Sequence, residues 1–540
     1  MAKSKLRGNA LLYSTSVFLS IGVWLFGYDQ GVMSGIITGP YFKSYFDQPT
    51  ATQIGNMVAV LEIGAFITSL LAARLADTYG RRWTMRLGAV LFSIGGCVQT
   101  FCSGYRVMVV GRFISGCGVG MLSMIVPIYQ AEISPADHRG FLGALEFTGN
   151  IVGYASSVWI DYACSYIQGH WSWRLPLSIQ VWGGLILAIG SFVCPESPRY
   201  LIDTDRDAEG LQVISDFQGK SEDDPKVQEE YNEIRDGVLA DRAVGDRSYK
   251  ALWTRYRGRV LIAMSSQLFA QLNGINVISY YAPLVFEQAG WIGRDAILMT
   301  GINAIFYIAA SIPPWWLTDA VGRRPILLTG AISMAIALTA TGWFIYIDQS
   351  YTPNAVVVWV IIYNAAFGMS WGPIPWLYPP EIMPLPFRAK GVSLSTATNW
   401  IANYWVGVTT PLFQQLIGWR LYIMHAFFCV VSFILVYFLY PETRGVPLEE
   451  MDKLFGDESS PYDDDDDDQS DIDASESSSL VGSRRVSRAG SSTSPAPFSR
   501  TPVPARADNS LVGRVTDAMF RSRPRDGGRG RYKAIDPEEQ

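Results

Sequence analysis

The first long apolar run, Leu11 to Ile37, limits the fold more than any other stretch of this chain. From Leu11 to Phe26 it has no charged residue. Gly27-Tyr28-Asp29 follows, and apolar character resumes at Val32-Met33 and continues through Ile36-Ile37. Such a run crosses a hydrocarbon core as a helix, with length to spare for tilt, because backbone groups in lipid must satisfy one another. It puts the Asp29 carboxylate inside the membrane, where a charge is costly and faces a cavity or a partner. No small-residue cleavage site closes the run, so it reads as a spanning helix rather than a signal peptide.

Eleven further stretches are long enough to span: Ile54–Ala73, Leu87–Tyr105, Val107–Ala131, Phe141–Ile160, Leu175–Pro195, Val260–Phe286, Ala296–Thr318, Pro325–Ile347, Gln349–Pro380, Gly391–Trp419 and Leu421–Tyr440. Only 17% of the chain is charged, and those charges gather in loops and in one tail, as in a multi-pass membrane protein. Lys and Arg orient it. The N-terminus, the Arg81-Arg82-Arg86 segment, the Arg139 loop, the Arg323-Arg324 segment and the Arg388-Lys390 turn fall on one side, so both termini are expected in the cytoplasm.

Glu196 to Arg259 is charged and reads as short amphipathic helices, Asp207 to Phe217 and Lys226 to Leu239, forming a cytoplasmic linker. After Tyr440 the chain changes class. An acidic run, Asp463 to Asp468, leads into Ser, Pro, Arg and Gly, a composition that buries no core and is expected to be disordered. In it, Arg484-Arg485-Val486-Ser487 sets two arginines ahead of a serine, a candidate site for a kinase or a trafficking partner. The six cysteines are scattered and the three histidines isolated, so neither a disulfide framework nor a metal site is expected. No nucleophile–base pair, phosphate loop, cofactor motif or nucleic-acid patch stands out, and an enzyme is not expected.

The chain repeats itself. Asp77-Thr78-Tyr79-Gly80-Arg81-Arg82 recurs as Asp319-Ala320-Val321-Gly322-Arg323-Arg324. Glu132 and Arg139 recur, at the same spacing, as Glu381 and Arg388, and Pro195-Glu196-Ser197-Pro198-Arg199 is echoed by Pro441-Glu442-Thr443-Arg444. Three motifs in the same order at a nearly constant offset indicate a duplicated six-helix unit, whose interface is where such carriers bind substrate. The expectation is an all-α integral membrane protein of twelve transmembrane helices: an N-terminal bundle over 1–195, a linker over 196–259, a C-terminal bundle over 260–440 and a disordered tail over 441–540.

These motifs, with Gln271-Leu272-Asn273-Gly274-Ile275-Asn276, Gly372-Pro373-Ile374-Pro375-Trp376 and Pro441-Glu442-Thr443-Arg444-Gly445, resemble the sugar porter family of the major facilitator superfamily over roughly Leu11 to Leu454. Glu146-Phe147-Thr148-Gly149-Asn150 and the acidic, Ser-rich tail are similar to fungal members.

Charges inside the spans are few: Asp29, Glu62, Arg112 and Glu146, all in the first half. Counting at 1.5 Å per residue sets Asp29 roughly 12 Å and Arg112 roughly 9 Å below the outer surface, so the two can meet, with Glu62 as a competitor at similar depth. The resemblance also favours Asp29 with Arg112 as a proton-coupling pair. The rival is an ion pair that only fixes helix packing. Gly116-x-Gly118-x-Gly120 reads as a close-packing stripe.

The second half offers neutral polar groups: Gln271, Asn273, Asn276, Asn303, Asn399 and Asn403. Amides give both donors and an acceptor, which a dehydrated sugar needs, and Trp376 and Trp400 give flat apolar faces. The resemblance implies substrate roles for Gln271, Asn276, Asn303, Trp376 and Asn399. Tyr280 and Tyr281, beside Asn276, are candidates for the outer gate. Two positions depart from the family pattern: Ala270 stands where a first glutamine is common, and Phe147 where many hexose carriers have a glutamine. Pro373, Pro375, Pro379 and Pro380 make Gly372 to Pro380 a hinge. Arg81, Arg82, Glu132, Arg139 and Glu196 in one half, and Arg323, Arg324, Glu381, Arg388 and Glu442 in the other, are expected to form arginine–carboxylate pairs that lock the inner side when the outer side is open.

The reading is a plasma-membrane monosaccharide transporter working by alternating access as a sugar:proton symporter. Two alternatives stay open: an uncoupled facilitator, and a transporter-like sugar sensor signalling through the tail.

Overall fold

The computed structural model describes residues 7–133, 139–243, 248–446 and 451–455, and all its regular structure there is helical. The chain opens with α1 (Asn9–Ile36), a short α2 (Pro40–Tyr45), then α3 (Ala51–Tyr79), α4 (Arg81–Thr100), α5 (Tyr105–Ile133), α6 (Arg139–Cys164) and α7 (Trp171–Gly190). Apart from α2, these are spans one to six. The linker holds α8 (Pro198–Asp203), α9 (Asp207–Gln218) and α10 (Pro225–Ala243). Span seven is a broken pair, α11 (Tyr249–Leu272) and α12 (Ile275–Gln288), and span eight another, α13 (Arg294–Ser311) and α14 (Pro314–Val321). Then come α15 (Arg323–Ile347), the split tenth span α16 (Thr352–Met369) and α17 (Ile374–Ile382), α18 (Arg388–Ile417), α19 (Arg420–Leu439) and a final turn, α20 (Met451–Phe455).

By length and apolar composition alone, six spans qualify to cross a membrane: α1, α3, α5, α15, α16 with α17, and α19. The pair α13 and α14, bent by 43°, makes a seventh. The other five predicted spans are helical too, but their apolar density is diluted. Arg81, Arg82 and Arg86 open α4, Lys250 to Arg259 open the seventh span, and Asn399 and Asn403 sit inside α18.

Glycines set the packing. On α1, Gly27, Gly31 and Gly35 recur every four residues and so share one face. A Cβ there would strike the Asn150 carbonyl, the Ser157 hydroxyl and the Asp161 carboxylate of α6. The Gly116-x-Gly118-x-Gly120 stripe splits likewise: Gly116 and Gly120 meet Leu61 and Ala65 of α3, while Gly118, on the opposite side, meets Gly88 of α4. The two halves touch along α3 with α18 and along α6 with α13.

Four boundaries differ from the sequence reading. The DxxGRR motifs are not loops: α3 runs to Tyr79 and α4 starts at Arg81, with only Gly80 between. Span five continues past Ile160 to Cys164 and carries Asp161 with it. The last residues of the linker, from Tyr249, already belong to α11, which is continuous through a kink at Tyr256. The beginning of the tail is structured rather than free. Tyr378 donates to the Pro441 carbonyl at 2.8 Å, the buried Arg259 donates to the Met451 carbonyl at 3.4 Å, and its guanidinium lies 4.7 Å from the centre of the Phe455 ring. Burial of two apolar side chains, Met451 and Phe455, holds this turn where an acidic sequence would not. The acidic run, Ser487 and the rest of 456–540 lie outside the described residues, as does the Arg139 side chain.

Candidate functional site

The glycine face of α1 determines where Asp29 points. Asp29 is two residues from both Gly27 and Gly31, about 200° round the helix, and so faces away from α6. On α5, Arg112 shares a face with Gly116, the residue that packs on α3. The two meet: Arg112 Nη1 donates to both Asp29 oxygens, at 2.8 and 2.9 Å. Nε and Nη2 donate to the carbonyls of Met57 and Val58 on α3, at 3.1 and 2.8 Å. Both side chains are buried, so every strong donor direction of the fork is answered inside the protein. Glu62 does not compete for Arg112. It is fully buried one turn further along α3 and accepts from Tyr280 Oη at 2.6 Å, across the junction between the halves.

A chain of amides leads away from Tyr280. Gln271 lies in the last turn of α11 and Asn276 in the first turn of α12, because the helix breaks at Asn273-Gly274, where Gly274 adopts φ +97°. The carbonyls freed at the break are taken up by neighbours: Tyr363 donates to Asn273 O at 2.9 Å, and His425 Nδ1 lies 2.7 Å from Leu272 O. Asn276 and Tyr280 are then one turn apart on α12 and face Asn399 and Asn403, one turn apart on α18. Gln271 donates to Asn399 Oδ1 at 2.6 Å. Asn276 donates to Gln271 Oε1 and, at 2.6 Å, to Asn403 Oδ1. Asn403 donates to Tyr280 Oη at 3.1 Å, which also receives Gln30 of α1 at 3.5 Å. The predicted amides and the ion pair thus lie at two ends of one polar seam.

Other predicted residues stand apart from this seam. Asn303 on α13 is buried, and its amide makes no hydrogen bond among the described residues. Trp376 on α17 is half-buried. Trp400, the next residue after Asn399 and so about 100° round α18, packs edge-on against Phe26 of α1 with ring centres 5.0 Å apart. Tyr281 is fully buried and donates to Gly407 O at 2.7 Å. The departure Phe147 lies against Gly372, at the break of the tenth span. That break, residues 370–373 between α16 and α17, overlaps the predicted hinge only at Gly372-Pro373, since Ile374 to Pro380 are helical, and Gln267 donates to Pro375 O at 2.7 Å.

Among the described residues, Arg81 and Arg323 pair within their own halves. Arg81 makes a forked contact to Glu132 at 2.7 and 2.9 Å, and Arg323 makes the matching one to Glu381 at 2.8 Å. The Glu196 carboxylate accepts the first backbone N–H groups of α4, from Arg81 and Arg82, at 3.1 and 3.3 Å. Glu442 does the same for Arg323 and Arg324 at the start of α15, at 3.0 and 2.9 Å. A carboxylate at a helix N-terminus satisfies orphan donors and meets the positive end of the helix dipole. Only glycine lets it in: a Cβ at Gly80 would lie 2.7 Å from a Glu196 oxygen, and one at Gly322 2.6 Å from a Glu442 oxygen. Burial pushes the Glu196 carboxyl up from its ordinary range, while the N–H groups of Ser197 and Arg82 pull it down. Arg82 and Arg324 bond to carbonyls at the ends of α7 and α19, so each motif ties together helices of its own half. Between the halves on this side, Ser393 donates to Ser69 O at 3.3 Å and Ser311 to Thr148 Oγ1 at 3.3 Å.

The sequence reading missed Asp161 and Arg259. Asp161 is buried against Gly35, and neither of its oxygens has a hydrogen-bond partner among the described residues. The four-residue glycine period of α1 was the available signal, since its last member needs something on α6 to pack against.

Two six-helix halves, a buried ion pair in one and an amide chain at their junction define a membrane carrier of the major facilitator fold. A search of solved structures agrees. The proton:xylose symporter XylE, bound to 6-bromo-6-deoxy-D-glucose, superposes with a TM-score of 0.72 at 27% identity, over 83% of this chain and 99% of that one. The sequence profile of the sugar (and other) transporter family matches residues 15–455, and the chain belongs to that family. Its relatives include a high-affinity glucose transporter of Kluyveromyces lactis, 30% identical over 83% of this chain and 85% of the relative. They also include the high glucose sensor RGT2 of Saccharomyces cerevisiae, 32% identical over 83% of this chain and 61% of the sensor. The protein is therefore a multi-pass sugar carrier by family, not an enzyme.

Proposed function

We propose that this chain carries a monosaccharide, a hexose or pentose, across the plasma membrane by alternating access, together with a proton, with both termini in the cytoplasm. The observation that carries the reading is the amide chain from Asn399 through Gln271 and Asn276 to Asn403, set at the junction of the halves and joined through Tyr280 to the buried Glu62 carboxylate. Amides that satisfy one another can exchange those bonds for sugar hydroxyls with little unsatisfied polarity left behind. Gln271, Asn276, Asn303 and Asn399 are the proposed sugar contacts, with Trp376 and Trp400 as apolar walls and Tyr280 and Tyr281 on the outer side. Residues 1–195 and 260–440 are the proposed moving halves, 196–259 the linker and 441–540 the tail. Asp29 and Arg112 are the proposed coupling pair, a reading supported by the likeness to a protein described as a proton:xylose symporter.

The likeness to RGT2 favours a second reading, a sensor that binds sugar without moving it. One experiment separates the two. In a yeast strain lacking other carriers, a transporter gives saturable uptake from a panel of hexoses, pentoses and polyols, with alkalinisation of the medium. A sensor gives neither, and uptake without alkalinisation leaves an uncoupled facilitator.

A further inference from the structure

The polar seam holds two carboxylates and one guanidinium. Arg112 spends Nη1 on Asp29 and its other nitrogens on two carbonyls, so no donor of the fork is directed at Glu62. Glu62 is fully buried, and its only hydrogen bond comes from Tyr280; its second oxygen has no partner among the described residues. The charged and titratable groups around it are Asp29 from α1, Arg112 from α5, and Tyr280 and Tyr281 from α12, with the neutral Asn403 facing from α18. One positive charge cannot neutralise two buried negative ones, which makes Glu62 the carboxylate poised to take up a proton.

We propose that Glu62 takes up the transported proton when sugar binds, with the Asp29–Arg112 pair still closed, and that Tyr280 passes its protonation state to the sugar site. The proposal rests on the symport reading above and adds to it the group that carries the proton and the route by which the sugar site reads it. Ionised Glu62 accepts strongly from Tyr280 Oη, which leaves the Tyr280 oxygen oriented to receive Asn403, and the amide chain stays closed on itself. A proton arriving from the outer side on Glu62 makes the carboxyl a weaker acceptor and loosens Tyr280. Asn403 and Asn276 lose that anchor and turn to the sugar hydroxyls. On the inner side the proton leaves Glu62, the Tyr280 bond re-forms, and the amides close again as the sugar departs. Proton and sugar therefore bind in the same direction, and sugar affinity falls as pH rises.

The test uses the full chain, purified for binding and reconstituted for flux, with D-glucose and D-xylose as probes. Sugar affinity of the wild type is expected to weaken with rising pH by up to about tenfold per unit across the titration. Glu62→Gln, a permanently neutral carboxamide, is expected to bind sugar with pH-independent affinity, to exchange it, and to move no protons with it. Tyr280→Phe keeps the carboxyl but cuts the route and frees Asn403 from its anchor, and is expected to flatten the pH dependence of affinity, with affinity held near the low-pH value of the wild type. If Glu62→Gln does not reach the membrane, the Tyr280→Phe profile decides. A wild type that couples protons to sugar, alongside a Glu62→Gln variant with the same proton-to-sugar ratio, or a Tyr280→Phe variant with an undiminished pH slope, overturns the assignment and leaves symport standing. A wild type that moves either sugar without protons, or moves neither, overturns symport and this assignment with it.

Discussion

Asp29→Asn tests the charge count most directly. In the protein, both carboxylate oxygens of Asp29 accept from one Arg112 nitrogen, at 2.8 and 2.9 Å. The amide keeps one acceptor and turns a donor toward a donor, so one charge-assisted bond is lost, at about 1.5–3 kcal/mol. The larger cost, roughly 3–5 kcal/mol for an uncompensated buried charge, is avoided because Glu62 can serve as the counter-charge of Arg112. The variant is therefore expected to reach the membrane and to exchange sugar. Its coupling is expected to vanish, because with Asp29 neutral a single carboxylate already balances a single guanidinium and there is no place for a proton. A carried proton moving down 100 mV supplies about 2.3 kcal/mol, which at about 1.4 kcal/mol per decade permits roughly fifty-fold accumulation. Reconstituted vesicles under an imposed potential should show that accumulation for the wild type and mere equilibration for Asp29→Asn, while sugar counterflow continues in both. Accumulation near the wild-type value by the variant, or equal loss of counterflow and accumulation, refutes the reasoning. In the second case the pair is structural.

Two further outcomes follow from the same geometry. Gln271→Ala and Asn276→Ala each leave buried amide partners unsatisfied, at about 1–3 kcal/mol, and should raise the apparent KM for sugar by about 5- to 150-fold; initial-rate uptake with wild-type KM in both would put the sugar elsewhere. Gly322→Ala drives a Cβ toward Glu442 at positive φ and should lower the melting temperature of the detergent-solubilised protein, whereas Gly237→Ala, in open space on α10, should hold or raise it by about 0.5–1 kcal/mol of stability; the reverse order would show that the carboxylate cap is not tight.

What could be read from the sequence was what depends on one helix at a time. Residue counting from the ends of two apolar runs was enough to bring Asp29 and Arg112 to the same depth, since a helix fixes rise per residue whatever surrounds it. The linker helices were legible for the same reason, their amphipathic period being local. Partners set by neighbouring helices were not. Glu62 looked like a rival for Arg112 because depth says nothing about azimuth, and only the packing of α12 against α3 reveals that it answers Tyr280 instead. The arginine motifs invited pairing across the halves. The structure shows that Gly80 and Gly322 admit a carboxylate from their own half at a helix start, a function of φ that a consensus of charges does not display.

The break in span seven shows how the two levels join. Val260 to Phe286 reads as one apolar run, with Asn273-Gly274 the local hint of the interruption that creates the candidate site. An unbroken helix would carry Gln271 and Asn276 about 500° apart in rotation, that is, on faces roughly 140° from each other. Gly274 at φ +97° resets that phase, so the two side chains bond to each other and to α18. Tyr363 and Cys429 donate to the Asn273 carbonyl and His425 Nδ1 meets that of Leu272, so side chains of two other helices satisfy the carbonyls the break exposes. Loosening those three contacts should therefore disturb sugar affinity without any of them touching sugar.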